Sequence, residues 1–275
     1  MYKLKSFIDP EKLQWESLSA NPLAIDLIEQ NIDKVKWFAL SKNPHAIHLL
    51  YKAIKENPEK VHWQLLSKNK GAISLLEKNI DKVDWQYLSA NSAAIPLLQQ
   101  HPEKINWHSL CINKSAIPLL EQNPEKIEWM SLSENPNAIP LLIKHDKFYP
   151  HFFCRNPAAI SYIEKFPEWI DWGVLTMNPN ALSLIEKNMD LPKIKSTIQY
   201  LSMHPENIPF LEKNPDRINW WYISSNPGIF ELDYEALTNR MDIYREELMA
   251  TALHPDRIDR LVNMLDKHQR MSDCL

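Results

Sequence analysis

One sentence of about 22 residues is written over and over along this chain, and the repetition constrains the fold more than any other feature. Tryptophans stand at 15, 37, 63, 85, 107 and 129, and counting each Trp as position 0 the unit reads W-x-x-L-S-x-N-P-x-A-I-x-L-L-E-x-N-P-E-K-I-x. Degenerate copies begin at Pro150, Trp172, Ile198 and Trp220, and a last one is traceable near Leu248 through "HPDRI". Before Trp15, "IDPEKLQ" is the tail of a repeat that has no head. A repeat of this length is one supersecondary unit that cannot bury its apolar face alone, so neighbours must stack. The expectation is therefore a single repeat domain over 1–275. It comprises an N-terminal half repeat (1–14), repeats (15–232) and an irregular C-terminal repeat with a helical cap (233–275).

Two Asn-Pro marks punctuate each unit, at positions +6/+7 and +16/+17. Asn before Pro is a helix-start pattern: the side chain accepts an unpaired N–H, and proline lacks the N–H that would be unpaired anyway. Thirteen of the 20 prolines follow Asn, Asp or His, and the chain has only 3 glycines where an average composition would supply about 19. Asn also tolerates the left-handed backbone that ends helices, so it is expected to stand in for glycine there.

These marks divide the unit into two short helices. One, "NPEKIEWMSLS" (123–133), pairs Trp129 with Leu132, while Ile127 falls on its other side. The second, "NPNAIPLLIK", sets Ala138, Ile139, Leu141 and Leu142 on one stripe. Pro140 lies beyond the tolerant first turn, which predicts a kinked or 3-10 start to that helix. The fold class follows: all-α, an α-solenoid of about eleven two-helix repeats. A leucine-rich-repeat-like solenoid shares the period, but "INWHSLCIN" has the polar His108 where a strand leucine belongs.

The string W-x-x-L-S-x-N-P-x-A-I-x-L-L-E-x-N-P-x-K-I-x-W resembles the tandem repeat proteins of giant DNA viruses of the mimivirus and phycodnavirus type. The resemblance covers about residues 7 to 230. It implies a viral repeat protein of mostly unassigned role, in infected-cell cytoplasm or in the virion, and it transfers no catalytic residue.

Composition narrows the function classes. A net charge of -4 speaks against a nucleic-acid partner, which calls for a basic surface. No apolar run approaches the roughly 18 residues of a membrane span, and the first residues lack a secretory h-region. Cys111, Cys154 and Cys274 have no metal or redox spacing, and Cys111 and Cys154 occupy the +4 slot that is Ser in most units. A small side chain there lets helices approach and bonds the carbonyl one turn back. His101, His145, His204 and His254 stand in Asn slots and read as caps. His45 and His48, at i, i+3, have no third ligand for a metal. No acid, base, nucleophile or phosphate loop clusters anywhere, so neither an enzyme nor a cofactor is expected.

What varies between units is the residue at +1 or +2, and there the chain places Phe38, Tyr87, His108, Phe152, Tyr200, Trp221 and Tyr222. These side chains either fill the gaps between repeats or line an exposed strip, and a fixed core beneath a changing surface is the pattern of a scaffold that binds another protein through an extended face. A structural or assembly role in a virus particle is the alternative, and single-stranded RNA binding a third reading. The N-terminal half repeat leaves an apolar end, which invites self-association through end repeats.

Overall fold

The computed structural model describes residues 2–251 and 254–259. The chain is predominantly helical, with two three-residue strands among the described residues. It divides into two compact units: Leu4–Phe230, and the described residues of Met1–Lys3 with Glu231–Leu275.

The larger unit holds ten copies of one design, and the copy at Trp85 shows it. A one-turn helix, Trp85–Ser89, starts at Asp84, whose carboxylate accepts the Tyr87 N–H at 3.1 Å. The chain then turns at Asn91, and a second helix runs Ile95–Gln100. A 3-10 turn, Pro102–Lys104, and the extended residue Ile105 lead to the next tryptophan. These are the Trp helix and the Ile helix of each repeat. The leucine-rich alternative fails here, because Trp107–Cys111 is helical where that fold needs a strand.

The Trp helix is shorter than the sequence pattern suggests. The expected helix over 123–133 breaks into a 3-10 turn at Pro124–Lys126, extended Ile127 (φ -73°, ψ 119°) and extended Glu128, and only then Trp129–Leu132. Burial is the reason. In a continuous helix Ile127 would point away from the core that Leu132 enters. The extended pair turns the chain so that Ile127 reaches 8% exposure while Leu132 stays fully buried. Pro140 fits the proline expectation: a 3-10 turn at Pro136–Ala138 precedes the helix Ile139–His145, and Pro140 lies at the start of that helix.

Glycine is indeed not needed at the turns, but the substitute is different from the one expected. The only non-glycine residue with positive φ among those described is Asp146, and no glycine has one. The Asn at +16 ends the Ile helix at φ near -130° and uses its side-chain amide as the terminator. Asn79 donates to Leu75 O at 2.8 Å, Asn123 to Leu119 O at 2.9 Å and Asn214 to Phe210 O at 2.8 Å. A carbonyl left over at the helix end is thereby satisfied without a left-handed residue.

Three columns of fully buried side chains run through the stack: Ala at +9 (Ala46, Ala72, Ala94), an aliphatic or Phe at +3 (Leu66, Leu88, Phe153) and an aliphatic at +13 (Leu76, Leu98, Ile185). The tryptophans pack against this core half-buried. Their outer faces are covered by the lysine at the +19 slot, as with Lys82 over Trp63 at 4.9 Å and Lys126 over Trp107 at 4.5 Å. Where this contact forms, at Lys12, Lys34, Lys60, Lys82 and Lys126, the lysine has a packing role, a cation over an aromatic face.

A buried amide ladder joins the copies. Except at Asn226, each Asn at +6 donates both amide hydrogens to the preceding repeat, to the carbonyls at +4 and +6. Asn91 reaches Ser67 O and Asn69 O, both at 3.0 Å, and Asn113 reaches Ser89 O and Asn91 O, both at 2.9 Å. Its oxygen accepts an N–H two residues on, which starts the 3-10 turn of its own repeat (Ala93 N to Asn91 Oδ1, 3.0 Å). A second rung comes from the Ser at +4. Ser89 donates to Trp85 O and accepts the N–H of Asn106, the residue that leads into the next Trp helix.

The ladder closes on itself. Asn21 donates to Ser224 O at 3.1 Å and to Asn226 O at 2.9 Å, and the Gln14 N–H donates to Ser224 Oγ at 2.9 Å. Lys12 lies over Trp220 at 5.3 Å, repeating the lysine-over-tryptophan contact of the interior. The tail at residues 8–14 and the head at Trp220 are thus two parts of one repeat. Its Ile helix is absent: after the turn Pro227–Ile229 the chain forms β2 (Phe230–Leu232), hydrogen-bonded to β1 (Tyr2–Leu4). The end surfaces expected to drive self-association are occupied by each other. One continuous helix, Tyr234–Thr251, runs through the start of the copy expected near Leu248, and most of the rest of that copy lies outside the described residues.

Closure makes a sharp prediction. Asn91→Ala strands two buried carbonyls and an N–H, for a loss of at least about 3 kcal/mol at roughly 1–3 per orphaned group. Asn21→Ala should cost the same in denaturant unfolding, since its partners lie across the closure. An open array would make Asn21 much the milder site.

Candidate functional site

The Trp helices of successive repeats lie side by side: Trp63–Ser67 packs on Trp85–Ser89, that helix on Trp107–Cys111, and Trp15–Leu18 on Trp220–Ser224 across the closure. Equivalent positions are therefore brought into register, and the variable residues form a line. The two variable positions differ in environment. At +1, Phe38, His108 and Trp221 are exposed, with Phe38 at 50% and Trp221 at 46%. At +2, Tyr87, Phe152, Tyr200 and Tyr222 are half-buried.

The +2 rings fill the gaps between repeats. Tyr200 and Tyr222 stand 5.3 Å apart, and burial, with the neighbouring Tyr200 hydroxyl, pushes the Tyr222 phenol up from its ordinary 10.0. Three of the +1 residues make side-chain contacts beyond their own Trp helix. Phe38 meets His62 edge-on at 4.8 Å, His108 Nδ1 pairs with Ser131 Oγ at 3.1 Å, and His151 pairs with Asp171 at 3.0 Å. Burial would raise the Asp171 carboxylate. Hydrogen bonds from His151 and from the N–H groups of Val174 and Gly173 outweigh it and hold the group below its ordinary 3.8. Two exposed +1 residues outside the expected set, Met130 (45%) and His151, extend the line.

The chemistry of this line is distinct. From Glu16 to Trp221 the ten +1 residues include one carboxylate and no lysine or arginine, in a chain that is 24% charged. Charge is concentrated instead on the exposed tail, in pairs such as Glu59–Lys60, Glu103–Lys104 and Glu125–Lys126. A neutral, partly aromatic strip can gain affinity from apolar contact and amide hydrogen bonds without desolvating ions.

The other candidates resolve into structure. Burial pushes the Cys111 thiol up to about 11, and Cys154 also upward, so neither is thiolate at neutral pH. Both stand in for the ladder serine: Cys111 Sγ accepts the Glu128 N–H at 3.3 Å and Cys154 Sγ the Asp171 N–H at 3.4 Å. Cys274 lies outside the described residues. His45 bonds Pro22 O and His48 bonds Glu29, so the pair does not converge, and among the described residues no three metal-binding side chains group together. His101 and His145 do not cap; their rings pack on Trp85 and Trp129 at 5.0 and 4.9 Å. An open groove of about 390 Å³ beside Trp15 is walled by Leu4, Leu13 and Leu27, and its Lys34 is engaged by Trp15 and Asn31. No helix among the described residues is long and apolar enough to cross a membrane.

His204, expected to cap a helix, makes no side-chain cap bond, and its place in the ladder is not legible from its Asn slot alone. In the repeat at Ile198 the ladder position holds His204, and Asn207 occupies the slot of the buried alanine. Asn226, the next rung, then makes a bond to Ser202 O in place of the usual two, and both His204 Nε2 and Asn207 Oδ1 are buried without a partner. The signal was present as two adjacent departures from the consensus, but it has meaning only once the ladder is known. Burial lowers His204 below its ordinary 6.5, with the Met177 carbonyl and Glu206 opposing. The folded state thus binds the proton more weakly than the unfolded state, so His204's contribution is complete above about pH 6.5 and shrinks as pH falls through the folded value.

Restoring the consensus with His204→Asn and Asn207→Ala together should add about 1–2 kcal/mol, read as a rise of several degrees in Tm. The same variant should lose less stability than the parent between pH 7 and 5. No protein-family model matches the chain, and no match to a curated protein or to a solved structure is found.

Proposed function

We propose that the repeat array is a closed α-solenoid that acts as a non-catalytic scaffold, holding another protein against the +1 strip of its Trp helices. The observation that carries this reading is the segregation of side chains. Phe38, His108, Met130 and Trp221 are exposed on a strip almost free of charge, while the charged pairs occupy the tail of each repeat. Apolar side chains kept in register on a rigid support are the ingredients of a protein-binding surface. Two histidine–carboxylate pairs, His48 with Glu29 and His151 with the half-buried Asp171, stand apart at the surface without a third group among the described residues, which favours binding over chemistry. The acidic balance speaks for a protein partner over single-stranded RNA.

The likeness of the repeat string to giant-virus arrays supports placing that partner in the infected cell or in the particle. Under the second reading, a structural or assembly role, the protein is itself a component of purified virions. Mass spectrometry of such particles separates the two.

The test uses a triple variant, Phe38→Glu, Met130→Glu and Trp221→Glu. These side chains are exposed, so each change should move stability by less than about 0.5 kcal/mol. Affinity-capture from the native cell should recover a specific protein with the parent chain and lose at least roughly tenfold of it with the variant, about 1.4 kcal/mol. Equal recovery would place the binding face elsewhere.

A further inference from the structure

The C-terminal helix, Tyr234–Thr251, differs in kind from every helix of the repeats. It has 18 residues, and none of its side chains is buried. Its apolar residues are not scattered. Tyr234, Leu237, Met241, Tyr244, Leu248 and Thr251 follow one another at spacings of 3, 4, 3, 4 and 3, the a/d pattern of a coiled coil. At 100° per residue they fall within one stripe about 100° wide. Tyr234 is 72%, Met241 60%, Tyr244 51% and Leu248 52% exposed. Ile243 and Met249 lie off this stripe.

An isolated helix of such length is marginal in water, and a heptad seam this exposed calls for a second helix. The charges beside the seam say which. In a parallel pair of identical helices, Arg240 faces the partner's Arg245 on both sides, a repulsion. In an antiparallel pair that sets Met241 against the partner's Tyr244 and Leu237 against the partner's Leu248, Arg240 faces the partner's Glu247 on both sides, an attraction. Arg245 is engaged by Asp242 of its own helix at 3.0 Å. We propose that this helix pairs with the same helix of a second copy of the chain, antiparallel, through the seam Leu237–Met241–Tyr244–Leu248. Six a/d layers over about 27 Å make a reversible dimer rather than a permanent one.

Sedimentation equilibrium of the full chain over a concentration series tests it. The expected result is a monomer–dimer equilibrium reaching twice the chain mass. Arg240→Glu should raise the dissociation constant at least tenfold, and adding Glu247→Arg should return it close to the parent value. Met241→Glu with Leu248→Glu should abolish the dimer while thermal unfolding of the repeats, followed by tryptophan fluorescence, stays unchanged. A monomer at every concentration overturns the proposal. So does a dimer that Arg240→Glu tightens, which would mean parallel pairing, or one indifferent to Met241→Glu with Leu248→Glu, which would mean association through another surface.

Discussion

Everything in the larger unit depends on where the buried carbonyls at +4 and +6 find their hydrogens. These groups sit at the turn between two helices, where no helical N–H can reach them, and they are shut away from water. An unpaired buried carbonyl is expensive, roughly 1–3 kcal/mol. The asparagine of the following repeat supplies both donors from one side chain, and only a primary amide has two hydrogens and an acceptor in so small a volume. Serine lacks the second donor, and aspartate would add a buried charge with no donor at all. This requirement keeps Asn at +6 in nine of the ten copies while the surface positions vary.

The same interaction explains the closure. A ladder in which each rung serves the one before leaves the last repeat with unserved carbonyls and the first with idle amides. Bringing Asn21 to Ser224 and Asn226 satisfies both ends with one contact of interior geometry. Splitting one repeat between the two ends of the array then ties both ends into that contact, with Lys12 on Trp220 and Gln14 on Ser224 as its fastenings. Where the ladder is broken, at His204, the penalty is visible as stranded polar atoms.

Much of this was legible early. The period, the helical character, the 3-10 start at Pro136 and the structural role of the +4 serines and cysteines all follow from spacing and side-chain chemistry. The +1 and +2 aromatics could be named as a set but not separated, because one residue along a one-turn helix decides whether a ring fills a gap between repeats or faces water. The break before each Trp helix was invisible as well. Its residues, such as Ile127 and Glu128, are compatible with a helix, and only the need to bury Ile127 together with Leu132 forces them into extended backbone.

Local propensity and periodicity act over a few residues, so the sequence by itself determined the repeat unit, its proline-marked starts and its apolar faces. The destination of a side chain that bonds a different repeat is not a local property. Asn91 and Asn79 are the same residue type, yet one joins two repeats and the other ends a helix, because one lies at the contact between copies and the other at a helix terminus. Only the tertiary structure decided that the array closes. Closure depends on the small angle accumulated from copy to copy, and that angle is a sum of packing contacts that no single 22-residue unit contains.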